Sequence, residues 1–207
     1  DQQGRYSYAR QPQVAHWNLG CLAQALSIVV DDHDALTDCL KRYASTFNQQ
    51  HVAVFLRKLG LPEAMPEDET LVGKTLHMLH EGRADMTAFF RRLSHAVVST
   101  DFAPCKDVCT NPAAFDSWLP HYQAACSADG QSAAARSAAM LAVNPKYVLR
   151  NHLAEIAIRK ARDENDYSEI TRLLNLLARP FDEQAEYEAY AALPPAWAQG
   201  LEVSCSS

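Results

Sequence analysis

Asn144-Pro145-Lys146-Tyr147-Val148-Leu149-Arg150-Asn151 opens the stretch that decides the fold, because the apolar residues within and after it keep helical spacing. Val148, Leu149, Leu153, Ile156 and Ala157 fall on one face of an α-helix. Asn144 offers a cap and Pro145 occupies a first-turn position where no N–H is lost, so the spacing predicts a helix opened by this dipeptide. Further on, Asp166 and Glu169 form a capping box ahead of Ile170, Leu173, Leu174 and Leu177, and Pro180 closes that helix. Together the two segments predict a helical hairpin.

Moving outward, the same periodicity recurs almost everywhere, and no stretch alternates like a strand between hairpin turns. The fold class expected is all-α. Val14, Trp17, Cys21, Leu22, Ala25 and Leu26 trace a first helix, and Asp34 is placed to cap a second that carries Leu36, Leu40, Tyr43, Phe47, Val54, Phe55 and Leu59 to Gly60. Pro62 and Pro66 mark a loop. Asp68 and Asp85 begin two short helices, and residues 99–110 read as a loop. Asn111-Pro112 opens a helix with Phe115, Trp118, Leu119 and Tyr122 that Pro120 should kink or end. An Ala-rich helix follows over 132–142, and the chain finishes at 194–207 as an extended tail. The regions expected are thus 1–30, 31–143, 144–193 and 194–207.

Composition narrows the function. The chain has 207 residues, 48% apolar and 21% charged, enough for a sizeable core. Only 7 glycines are present, and neither a Gly-x-Gly-x-x-Gly nor a Walker sequence occurs, so material for a phosphate-cradling loop is scarce. A net charge of −6 argues against nucleic-acid or anionic-membrane partners, and no apolar run is long enough to span a bilayer. After Arg179 come Asp182, Glu183, Glu186, Glu188 and Glu202 with no Lys or Arg, a solvated acidic tail. The start at Asp1, with no Met and no signal peptide, reads as a cut from something longer.

Candidate chemistry is sparse. His77 and His80 stand three apart on a helix and could share a face, without a third metal ligand placed by sequence. His16 and His152 read as core or rim histidines. Cys105 and Cys109 form a lone Cys-x-x-x-Cys, while Cys21 and Cys39, on apolar-periodic stretches, read as small buried hydrophobes. Irregular cysteine spacing favours a reducing, cytoplasmic setting over a disulfide scaffold. Cys205 differs, because among terminal serines nothing apolar in sequence shields it. The basic doublets Lys41-Arg42, Arg57-Lys58 and Arg91-Arg92 read as solvated faces. Lys146, Arg150, Arg159, Lys160 and Arg162 make a basic stretch whose simplest use is to hold the acidic tail down.

Specific strings add a family. Gly4-Arg5-Tyr6-Ser7-Tyr8, Gln11-Pro12 and His16-Trp17-Asn18-Leu19 resemble the segment after the metal-binding Asp loop in the SelO family of protein adenylyltransferases. Phe115-Asp116-Ser117-Trp118, the 144–151 string, Pro180-Phe181, Pro194-Pro195-Ala196-Trp197 and Leu201-Glu202-Val203-Ser204-Cys205-Ser206-Ser207 resemble its later motifs in order. The departures, Arg10 before Gln11-Pro12 and His152 where Trp is commoner, touch packing. The resemblance implies a protein-kinase-like, pseudokinase fold that moves AMP from ATP to Ser, Thr or Tyr hydroxyls of proteins with magnesium. Its nucleotide-gripping Lys, Arg and acidic groups, its Asp base and its magnesium ligands are expected upstream of Asp1. No catalytic, cofactor-binding or metal residue is then expected in this chain, and ATP and magnesium belong to the full-length protein.

One residue carries over: Cys205 matches a position that is Cys or selenocysteine in the family and pairs with an activation-segment thiol as a redox switch. The chain is expected to be the helical C-terminal portion of such an enzyme, supplying scaffold and regulatory thiol but inactive alone. Its partners would be the missing N-terminal half and protein substrates. Two rivals remain: an autonomous helical interaction module, and a helical metalloprotein built on His77 and His80.

Overall fold

The computed structural model describes residues 4, 5, 7–62, 68–198, 200 and 201, with backbone alone at 68–70. The described residues are helical and irregular with no strand, as the periodicity requires. The α-helices run α1 Gln11–Leu26, α2 His33–Leu59, α3 Asp68–Glu81, α4 Met86–Ser99, α5 Ala103–Lys106, α6 Pro112–Ala128, α7 Ala133–Val143, α8 Asn151–Glu164 and α9 Ser168–Leu177. Short 3-10 turns lie at Tyr8–Arg10, Ala185–Ala191 and Ala196–Ala198. The chain divides into two compact units, residues 1–55 and 56–207.

The first unit holds α1 and most of α2. Asp32, rather than Asp34, caps α2, its carboxylate accepting from the Ala35 N–H at 2.9 Å. Along α2, Tyr43, Phe47, His51 and Phe55 stack at four-residue steps, and His16 of α1 continues the column onto Tyr43 at 5.7 Å. The Tyr43 hydroxyl donates to the Pro12 carbonyl. No residue of α1 is buried, and Trp17 and Leu22 are more than half exposed. Cys21 and Cys39 are exposed as well, which corrects their reading as buried filler: within this unit nothing covers the faces that carry them.

The second unit contains a true core. α2 ends as its Gly predicts, with Gly60 at φ +69° and the Leu61 N–H reaching back to the Leu56 carbonyl, the bond of a Schellman turn. α4 packs against α7 and α5, and α3 against α6, around Phe89, Phe90, Leu93, Phe115, Trp118 and Tyr122. Phe89 meets Phe115 and Trp118 edge-on, Trp118 stacks on Tyr122, and each polar handle is satisfied. Trp118 Nε1–H donates to Thr75 and Tyr122 O–H to the Leu59 carbonyl.

Three expectations fail for local reasons. Pro120 neither ends nor divides α6, which runs through to Ala128 because Phe115, Trp118 and Tyr122 are anchored on both sides of it. The expected loop over 99–110 contains α5, a single turn with Cys105 in the core. α8 starts at Asn151, not Asn144, since Asn144 terminates α7 and the Lys146 and Tyr147 N–H groups both bond the Pro180 carbonyl. The predicted hairpin of α8 and α9 forms, with Leu153, Ala157 and Leu173 in one cluster flanked by Tyr190. The end of the chain is not wholly extended, as a 3-10 turn occupies Ala196–Ala198.

Candidate functional site

The segment 144–151 is the most densely bonded part of the second unit. Asn144 is fully buried; its side-chain amide donates to the Lys58 carbonyl at 2.9 Å and to Ser94 Oγ at 3.1 Å, tying the end of α7 to α2 and α4. Tyr147, also buried, donates its hydroxyl to the Gln184 carbonyl. Lys146 Nζ lies 2.5 Å from carboxylate oxygens of both Glu183 and Glu188. Arg150 grips Asp85 with two parallel hydrogen bonds, at 2.5 and 3.0 Å, while the same carboxylate caps α4 through the Ala88 N–H. Asn151, the first residue of α8, donates from its side chain to the Leu201 carbonyl at 3.0 Å. Every polar side chain of this string therefore joins it to another element.

The electrostatics follow from that wiring. Burial works to raise the Asp85 carboxyl, but the Arg150 hydrogen bond, the Ala88 N–H and the charges of Arg150 and Arg92 outweigh it and hold it below its ordinary range. Glu183 is held low first by the Lys146 hydrogen bond, and by Arg91 as well. Arg91 corrects its reading as a solvated side chain: it is buried, donating to the Asn144 and Leu141 carbonyls and to Glu183 at 2.5 Å. A guanidinium fits because the end of α7 presents carbonyls that no helix turn bonds. Of the basic stretch expected to restrain the acidic tail, Lys146 does so; Arg150, Arg159, Lys160 and Arg162 bond Asp85, Glu155, Glu169 and Asp163 instead.

α8 and α9 hold the rest of the C-terminal region. Glu169, expected to complete a capping box, is turned inward and buried, accepting from the Tyr190 hydroxyl at 2.6 Å, Arg172 at 2.5 Å and Lys160 at 3.4 Å. The start of α9 is served by Asp166, which accepts from the Ser168 N–H. Burial tends to raise the Glu169 carboxyl, and these three partners together bring it below its usual value. His152 is buried with its ring edge-on to Trp197, 6.3 Å between centroids, and Arg159 lies 5.9 Å over the same indole. Burial, then the nearby Arg150 charge, pushes the His152 imidazolium down.

The other candidates scatter. Cys105 and Cys109 are both buried, and burial pushes the Cys105 thiol up to about 12, the opposite of a reactive thiolate. His77 lines a groove between α3 and α6 beside Lys74 and His121, whereas His80 lines a separate cleft with Arg83 and Thr110. His16 is an exposed rim residue in the aromatic column. Cys205 lies outside the described residues. Among the described residues, no group of three His, Cys, Asp or Glu could hold a metal ion, and Asp85, Glu169 and Glu183 are each neutralised by arginine or lysine. The described part of the chain does not fit a magnesium–ATP site.

Comparison with known proteins converges on one description. A family model described as "Protein adenylyltransferase SelO" matches residues 1–178. A protein nucleotidyltransferase YdiU of Cupriavidus metallidurans is 47% identical over the whole chain, which covers 41% of that relative. The YdiU proteins of Cupriavidus pinatubonensis and Dechloromonas aromatica are 51% and 47% identical, again over the whole chain, which covers 43% of each. The chain spans about two fifths of the length of these relatives and aligns along its entire extent.

Proposed function

The chain belongs to the SelO family, and on that footing we propose that it is the helical supporting portion of an enzyme that transfers AMP from ATP to protein hydroxyl groups. The observation that carries the scaffold role is the wiring of residues 144–151. Asn144, Lys146, Tyr147, Arg150 and Asn151 all bond within the fold, linking α2, α4, α7, the segment 183–188 and the tail, and none is left to meet a triphosphate. Nucleotidyl transfer needs cations and a metal converging on the phosphates. In this reading those groups, with ATP and magnesium, reside in the portion of the relatives that this chain does not cover. Its partners are that upstream portion and protein substrates, in the cytoplasm.

The finer part of the reading is regulatory. Cys205 serves as a thiol that pairs with a second thiol upstream when an oxidant is present. With peroxide, the two thiols give up two protons and two electrons, one S–S bond forms, and the peroxide O–O bond is reduced to two waters. Support comes from the family resemblance of the ending and from the contrast with Cys105 and Cys109, which burial makes poor nucleophiles. The test uses the full-length protein: Cys205→Ser should remove any peroxide dependence of AMP transfer while leaving the reduced rate unchanged. Equal peroxide sensitivity in the variant would reject the regulatory role.

A further inference from the structure

A groove of about 310 Å³ lies in the second unit, between the end of α2, the turn that joins α6 to α7, and α7 itself. Leu61, Ala139 and Val143 give it apolar walls, and Arg57, Asp129 and Gln131 supply its polar side chains. Asp129 is fixed there by the buried Arg136, whose guanidinium donates to Asp129 Oδ1 at 2.6 Å, to the Gly60 carbonyl at 2.6 Å and to the Cys126 carbonyl at 2.9 Å. The Gln131 N–H donates to the same Oδ1. The Asp129 side chain is only 6% exposed, yet its other oxygen, Oδ2, is buried without a hydrogen-bond partner among the described residues. Burial tends to raise this carboxyl, while the Arg136 hydrogen bond and the Gln131 N–H bring it below its ordinary range, so it stays ionised and can only accept.

A buried acceptor left unpaired is costly and uncommon, so Oδ2 calls for a donor. A hard metal ion would need several oxygens, and among the described residues no group of three His, Cys, Asp or Glu could hold one. A cationic donor would gain little, because Arg136 already matches the carboxylate charge and the newcomer would have to shed its own water. A neutral N–H meets the oxygen without that cost. We propose that this groove binds an extended, uncharged peptide segment of another protein, seating one aliphatic side chain against Leu61, Ala139 and Val143 and giving a backbone N–H to Asp129. A peptide residue carries an N–H and a carbonyl beside its side chain, and Gln131 and Arg57 bear donors suited to the carbonyls. The volume is at the small end for a ligand pocket, enough for one aliphatic residue with its flanking peptide groups. This binding is independent of AMP transfer.

The experiment titrates the full-length protein with two probes and reads binding by saturation-transfer NMR. One is the capped tripeptide acetyl-Ala-Leu-Ala-amide; the other is 4-methylpentanamide, which has the same aliphatic group and a single amide. The tripeptide should bind saturably and about fivefold more tightly, the gain of one further hydrogen bond. Asp129→Asn can keep an oxygen for Arg136 and the Gln131 N–H while putting a donor where Oδ2 accepts, and it should remove the tripeptide signal. Ala139→Leu, at an exposed position of α7, fills the groove, leaves the Arg136–Asp129 pair in place and should do the same, so the test stands even where Asp129→Asn lowers stability. Thermal melts report that each variant is folded. The absence of saturable tripeptide binding to the unmutated protein overturns the proposal, as does undiminished binding by folded Asp129→Asn or by Ala139→Leu. Equal affinity for 4-methylpentanamide also overturns it, since the groove would then suit a small amide rather than a peptide.

Discussion

Gly60 and Asp85 show how much a single position carries here. At φ +69°, a Cβ on Gly60 would come within 2.6 Å of Arg136 Cγ and 2.7 Å of Met140 Cγ, both on buried side chains. Backbone strain and overpacking act together, so Gly60→Ala should cost about 2–4 kcal/mol, read as a lowered urea midpoint. Asp85 both caps α4 and receives Arg150, and Asp85→Ala should cost roughly 2–4 kcal/mol, less than the loss of a fully buried pair because the carboxylate is partly exposed. Asp85→Asn, which can still cap, should recover about 1 kcal/mol of that. Both roles were legible in part: a Gly after an apolar run and an Asp before one announce helix ends. The burial of Arg91 was not, because the carbonyls that demand it lie some fifty residues away at the end of α7.

Most helices formed close to where apolar spacing put them, and errors gathered where tertiary bonds overrule local chemistry, as at α8, which begins at Asn151 and leaves Val148 and Leu149 outside it. Asn144-Pro145 has the form of a helix opening, yet α7 and α4 take the groups of Asn144, and the Pro180 carbonyl takes the N–H groups of Lys146 and Tyr147 that follow. Glu169 has the spacing of a capping box, yet Tyr190, Arg172 and Lys160 draw it inward across the hairpin. That inward carboxylate gives the element an acid limit. Glu169 and Asp85 have folded-state pKa values below their ordinary ones, so each protonates more readily when unfolded, and the stability it adds above the carboxylate range is lost as pH falls. His152, also depressed, adds the same sign from its ordinary value of 6.5 downward. Urea midpoints should therefore decline from about pH 6.5 and more steeply below about pH 4. Tyr190→Phe should shrink the lower part of that decline, since Glu169 then loses a hydrogen bond to its charged form.

The two units differ in kind. The second buries a satisfied aromatic core, whereas α1 in the first presents Trp17, Leu19, Leu22 and Leu26 with no residue buried. Helical periodicity revealed that α1 is amphipathic; it carried no information about what covers the face, because a covering partner leaves no mark on the spacing of the residues it covers. A supporting portion of a larger enzyme should be complemented by the rest of it. Iodide should quench Trp17 in this chain, while Trp118, 2% exposed, stays protected, and Trp17 should become protected in the full-length protein. Equal Trp17 quenching in both would count against the scaffold role. The family, by contrast, was legible from its strings: the family model matches residues 1–178, the relatives align along the whole chain, and the 144–151 string is densely bonded within the second unit.

On the proposed reading, this chain supports AMP transfer without supplying its chemistry. That reading is tested by incubating the chain, and the full-length protein, with ATP and magnesium and reading covalent AMP on each by intact mass spectrometry. The account predicts AMP on the full-length protein and none on the chain by itself. AMP on the isolated chain, or none on a folded full-length protein that binds ATP, would contradict it.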